Sequence, residues 1–158
     1  MAKLKWNLVY SDFNPETGVS EVHINTSLGV FKGKSYLHEE DKDIASKFQG
    51  CRYAEMRAVS HYVAALIKEL KVKYDTLLNL SNDFKDIKIY RENKYTNILN
   101  SKLKNLDIQI KDLELYKKKL DESVYYLMKN YRDEVNGLKD KLEQLNKKTK
   151  KVQEPTEE

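Results

Sequence analysis

From Leu99 onward an apolar residue recurs at alternating intervals of four and three: Leu99, Leu103, Leu106, Ile110, Leu113, Leu120, Val124, Leu127 and Tyr131. Lys117 interrupts the rhythm once. Two successive steps of four lead from Leu127 to Val135, and the pattern resumes at Leu138, Leu142 and Leu145. This spacing places one apolar stripe along a helix, the signature of a coiled-coil seam, and the four-residue shift locally unwinds such a seam. A helix of ~50 residues is ~75 Å long, more than a small sheet can cover. It must lie against a second helix, folded back in the same chain or supplied by another copy. Self-association through helices, as a homo-oligomer, is the expected consequence.

A second stretch carries the same spacing, at Val59, Val63, Leu66, Leu70, Leu77, Leu80 and Phe84, with Lys73 as its polar interruption. Ahead of it, residues 3–37 have a period of two. Leu4, Trp6, Leu8 and Tyr10 alternate with Lys3, Lys5 and Asn7, which predicts a half-buried strand over 3–10. The run from Ser11 to Gly18, containing Asn14-Pro15, reads as a turn. Val19–Thr26 and Val30–Leu37 follow as second and third strands around Ser27-Leu28-Gly29, with Gly33 a candidate bulge or close-approach point. Three short strands are marginal alone and need a helix on their apolar face.

The fold class expected is therefore α+β: an N-terminal antiparallel β-meander packed on a helix, followed by long amphipathic coiled-coil helices. The organisation reads as one domain overall, with the meander over 1–42 and a first long helix over 43–80. A connecting break follows over 81–98, a second long helix over 99–147 and a disordered tail over 148–158. Ser81-Asn82-Asp83 marks the break because these side chains compete with the helix backbone. Asp86–Tyr90 reads as a short strand or, preferably, the start of the next helix.

Charge and cysteine content restrict the function classes. There are 29 basic and 25 acidic residues, interspersed, for a net charge of +4. A duplex-DNA binder concentrates its basic charge in a stripe, so nucleic acid is not the expected partner. One cysteine, Cys51, excludes an intrachain disulfide. No apolar run approaches the ~18 residues of a membrane span and no leader is legible, so a cytoplasmic, non-membrane protein is expected.

Catalytic signatures are missing. No phosphate-cradling Gly-x-x-x-x-Gly-Lys, no Gly-x-Gly-x-x-Gly and no His-Glu-x-x-His occurs, and Cys51 with His23, His38 and His61 gives no zinc spacing. Glu39, Glu40, Asp41 and Asp43 read as a solvated helix start rather than a metal site. The reading is a non-enzyme without catalytic residues, metal or cofactor.

Two segments combine the groups that hold a phosphate-bearing ligand. In Ser46–Ala58, Arg52 and Arg57 offer planar forks for phosphate oxygens and Tyr53 a stacking ring; Lys32 and Lys34, flanking Gly33, join them if the third strand lies over this helix. The alternative is a packed helix start with a surface ion pair. Between Phe84 and Tyr95, Phe84, Tyr90 and Asn93 stand among cations, as in a nucleotide-reading loop or an ordinary helix hairpin.

Residues 27–34 (Ser-Leu-Gly-Val-Phe-Lys-Gly-Lys), residues 50–58 (Gly-Cys-Arg-Tyr-Ala-Glu-Met-Arg-Ala) and the long helices after them resemble phage-encoded sponge proteins that counter the bacterial Thoeris defence by sequestering cyclic ADP-ribose signals. The resemblance covers about residues 20–95. It implies an oligomer that binds a cyclic nucleotide between subunits without cleaving it, with Arg57, Phe84 and Asn93 in the pocket. The competing expectations are a coiled-coil adaptor that binds a protein partner and a phage nucleic-acid-associated protein.

Overall fold

The computed structural model describes residues 4–38, 46–86 and 92–152. Strands β1 (Asn7–Asn14), β2 (Val19–Thr26) and β3 (Gly29–Tyr36) form an antiparallel sheet in the order β1-β2-β3, followed by helices α1 (Lys47–Asp86) and α2 (Glu92–Val152). The α+β class and the meander on a helix are thus as expected. Among the described residues no helix is long and apolar enough to cross a membrane.

Local chemistry sets both turns. Asn14 Oδ1 accepts the Glu16 and Thr17 amides at 2.9 and 3.3 Å, and Gly18 closes the turn at φ +66°. That is an Asx turn ending on a residue that adopts the left-handed region without penalty. The β2–β3 connection is a tight turn in which Leu28 N donates to Thr26 Oγ1 at 3.1 Å and Gly29 takes φ +108°.

The strand expected over 3–10 starts and ends later. The register slips between Leu8 and Tyr10, so the chain bulges at Val9. A bulge inserts one residue and reverses the parity of the strand beyond it. Tyr10, expected beside Leu4 and Trp6, lies instead on the outer face with its ring 4.7 Å from that of His23.

The inner face is graded in size. Ser20 faces Ser35, Val22 faces Gly33 and Ile24 faces Phe31 across the β2–β3 pair. Gly33 is the close-approach point, not a bulge: a Cβ there would collide with the Ala54 carbonyl and stand 2.5 Å from Ala58 N. Val22, Ile24, Ala54, Ala58, Val59, Tyr62 and Val63 make the core between sheet and α1, and Ile67, Ile110 and Leu113 carry it across to α2.

The long helix folds back on its own chain. Tyr53 Oη donates to Leu127 O at 3.2 Å, Ser60 Oγ to Asp121 Oδ1 at 2.6 Å, and Lys71 Nζ lies 2.7 Å from Glu114 Oε1. These pairs run in opposite directions, so α1 and α2 are antiparallel. Leu103, Ile110, Leu113 and Val124 of the stripe are buried.

Four boundaries shift, the first at Lys47, where α1 begins rather than at 43. α1 continues through Ser81-Asn82-Asp83 to Asp86, because two long packed stripes outweigh the local preference of those residues to leave a helix. α2 begins at Glu92 rather than 99 and extends to Val152, five residues into the segment expected to be disordered. Residues 87–90, where strand and helix were both open, and the remainder of the tail at 153–158 lie outside the described residues.

Candidate functional site

Of the cations singled out around Gly33, Arg57 meets the backbone at the outer edge of β3 while the Lys34 ammonium turns away. Arg57 Nη1 donates to Lys34 O at 2.7 Å, and His61 Nδ1 lies 2.9 Å from Lys32 O. Arg57 and His61 are four apart on α1 and so share a face, and the two carbonyls are two apart on one strand. The helix thereby covers edge carbonyls that would otherwise face solvent, a recognised way of blunting a sheet edge. Lys34 Nζ turns to the outer face and pairs with Glu21 Oε2 at 2.9 Å, while His23 Nε2 takes the other oxygen at 2.7 Å. Hydrogen bonds from His23, then Lys34, hold the Glu21 carboxyl at about 2. Lys32 and Arg52 are exposed.

Tyr53 points elsewhere. It is buried at 6% exposure against α2, its hydroxyl held by Leu127 O. Burial raises its pKa, the neighbouring Tyr131 adds to the rise and Arg52 opposes it, so the hydroxyl stays a neutral donor. The expected grouping of Lys32, Lys34, Arg52, Tyr53 and Arg57 therefore divides between the β3 edge and the α1–α2 junction. Of the second grouping, Phe84 and Asn93 sit at the ends of α1 and α2 with side chains outside the described residues, and Tyr90 lies outside them altogether.

At that junction the structure has a cleft of about 580 Å³. Its position follows from the size gradient of the sheet. Gly50 lies so close to Ser20 that a Cβ would meet the Ser20 hydroxyl. Beyond this contact the small pair Ser20–Ser35 leaves the open end of the sheet–helix interface unfilled. Ser20, Ser35, Ser46 and Gln49 supply hydroxyls and an amide to the lining. Phe13, Tyr36, Tyr53, Tyr125 and Tyr131 supply rings, and His38, Lys129, Arg132 and Asp133 the titratable groups. The volume suits a small-molecule ligand. Counting Lys129 and Arg132 against Asp133, the lining carries a net positive charge.

Among these residues the sequence pattern singles out only Tyr53. The four–three stripe marks α2 as a seam, and Tyr125, Lys129 and Arg132 fall off that stripe as an aromatic residue interleaved with cations. That off-stripe interleaving was the available signal.

A larger cleft, about 960 Å³, lies at the opposite end of the sheet and is lined by Trp6, Asn7, Asn25, Tyr62, Leu66, Asn105 and Gln109, with Lys5 and Asp112 as its charged groups. One cation balanced by one carboxylate gives no preference for an anion. No group of three or more His, Cys, Asp or Glu side chains that could hold a metal ion occurs among the described residues. Comparison with protein-family models, with curated proteins and with solved structures finds no match to this chain.

Proposed function

We propose that this chain binds a small anionic ligand of nucleotide type in the tyrosine-lined cleft at the start of α1 and holds it without turnover. The observation that carries this reading is the convergence of aromatic residues (Tyr125, Tyr131), cations (Lys129, Arg132) and hydroxyls (Ser20, Ser35) around one cavity. Rings stack on a base, a guanidinium matches phosphate oxygens in a planar fork, and hydroxyls serve ribose or phosphate. Such a lining suits the grip of a nucleotide. In this role the protein acts as a sponge in the cytoplasm of a phage-infected bacterium, sequestering a cyclic nucleotide signal of the cyclic ADP-ribose class and so silencing defence.

The test is native mass spectrometry and calorimetry with cyclic nucleotides and cyclic ADP-ribose isomers, followed by chromatography of the recovered ligand. Intact ligand at fixed stoichiometry is expected. Arg132→Ala should weaken binding about 10- to 100-fold, the equivalent of ~1.5–3 kcal/mol for a hydrogen bond to a charged group. Lys34→Ala, on the outer face of the sheet, should leave affinity unchanged. Absence of binding across the panel, or full affinity in the Arg132 variant, refutes the assignment. The adaptor reading draws on a different observation, the exposed leucines at the far end of α2.

A further inference from the structure

α2 is longer than the helix that covers it. The pairings Lys71–Glu114, Ser60–Asp121 and Tyr53–Leu127 step along both helices in opposite directions, so α1, which starts at Lys47, runs out beside residues 131–135 of α2. Ser46 and Gln49 accordingly line the same cleft as Arg132 and Asp133. Beyond that point α2 continues as an arm to Val152. The arm's stripe does not stop: Leu138, Leu142 and Leu145 keep the spacing and lie on the face that α1 covers further back, yet are 55%, 60% and 61% exposed. An isolated arm of this length is marginal in water even with strong helix formers. Its leucines need a covering helix.

We infer that the cover is the arm of a second copy, packed antiparallel, with Leu142 against the partner's Leu145 on either side of a two-fold axis near residues 143–144. Three observations select this occupant and direction. First, the stripe is continuous with the α1–α2 seam, so a helix lying on the arm takes the place α1 would have had, in the direction α1 runs. Second, α1 already fills the stripe up to its start. A parallel partner would bring its own α1 into the same space, whereas an antiparallel one carries its body to the far end. Third, charge is graded along the arm. Lys129 and Arg132 balance Asp133 and Glu134 at its root, whereas Lys147, Lys148, Lys150 and Lys151 follow its last leucine. Antiparallel pairing keeps the two lysine-rich ends apart, whereas parallel pairing sets them side by side. The contact is isologous, so it closes as a dimer. It is small beside a standard interface, and the dimer is expected to form across the micromolar range rather than to be permanent.

This inference does not depend on the ligand reading, and its test is separate from ligand binding. The full chain is followed by analytical ultracentrifugation across the micromolar range and by small-angle X-ray scattering. A monomer–dimer equilibrium is expected, with a dimer about 150 Å long: two α2 helices of ~90 Å each, overlapping along their arms. L142D should raise the dimer dissociation constant at least about tenfold, because a charge replaces a central apolar contact. The denaturation midpoint of the sheet–helix body should hold, since Leu142 lies outside it, and any loss of helicity should be confined to the arm. A chain that stays monomeric throughout overturns the inference and leaves the stripe to a different protein. So does a dimer only ~90 Å long, which would be parallel or joined elsewhere, and so does a ~150 Å dimer that survives L142D and L145D together.

Discussion

Replacing Gly33 by alanine tests whether the sheet is seated on α1 through backbone contact. A Cβ at this position would stand 2.5 Å from Ala58 N and 3.0 Å from Ala54 C, closer still to the Ala54 carbonyl oxygen. Ordinary heavy-atom separation is about 3.5–4.0 Å, so β3 would have to retreat by roughly 1 Å. Backbone atoms cannot swing aside as a flexible side chain would. A gap of that size forfeits about a quarter to a half of each contact it stretches. The contacts at stake are those of Val22, Ile24, Ala54 and Ala58, which are at or below 1% exposure. The bonds from Arg57 to Lys34 O and between His61 and Lys32 O would lengthen with them. Overpacking costs about 1–3 kcal/mol, and two weakened hydrogen bonds add up to about 1 kcal/mol each. The expected loss is therefore about 1–5 kcal/mol. Urea unfolding followed by the fluorescence of Trp6, which packs against the core, measures it. Gly137→Ala is the control: its Cβ would meet nothing within 4 Å, and, lying in the arm beyond the folded body, the change should leave the unfolding midpoint unmoved while favouring helix locally. A Gly33→Ala loss under about 1 kcal/mol would show that the sheet rides on side chains and refute the reasoning.

Two further predictions concern paired groups. Ser60 is buried and donates to Asp121 at 2.6 Å, beside the Lys117 ion pair on the same carboxylate. Burial pushes Asp121 up, but the bonds from Lys117 and Ser60 outweigh it and hold the group below its usual value. Ser60→Ala should cost about 1 kcal/mol in urea unfolding and move the Asp121 titration upward by NMR. Glu21, held at about 2 by His23 and Lys34, has a folded-state pKa below its ordinary 4.5. Its contribution to stability is complete above pH 4.5 and drains away as the pH falls toward 2, since the unfolded chain takes up the proton first. Glu21→Gln should flatten that part of the acid unfolding curve, and added salt should shrink the difference because the group is at the surface. An unchanged curve counts against the Glu21 bridge.

Most of the fold was legible because it rests on periodicity. The limits of β2 fell where alternation and turn chemistry place them, and the stripe residues Leu103, Ile110, Leu113 and Val124 are the ones α2 buries. What failed were features that no window of sequence contains. The bulge at Val9 reversed the face of Tyr10, and its signal is the register with β2 rather than any residue of β1. Ser81-Asn82-Asp83 carries a genuine local preference to end a helix, overridden by packing at a distance. The candidate site was legible only in Tyr53. Its partners Tyr36, Lys129 and Arg132 come from β3 and α2, and only antiparallel folding of the two helices brings them to one cleft. Arg57 has the chemistry of an anion ligand, yet one of its donors is taken by a strand carbonyl. Composition cannot distinguish those two uses.

The covering of β3 by Arg57 and His61 also bears on how this sheet could grow. Growth by strand addition needs an accepting edge on each new layer, and here one margin is occupied by the protein's own helix. The other margin, β1, exposes Leu8, Val9 and Tyr10. A molecule with a single sticky margin can pair once, margin to margin, and the pair then presents only covered margins outward. Strand addition through the sheet margins alone thus stops at two copies.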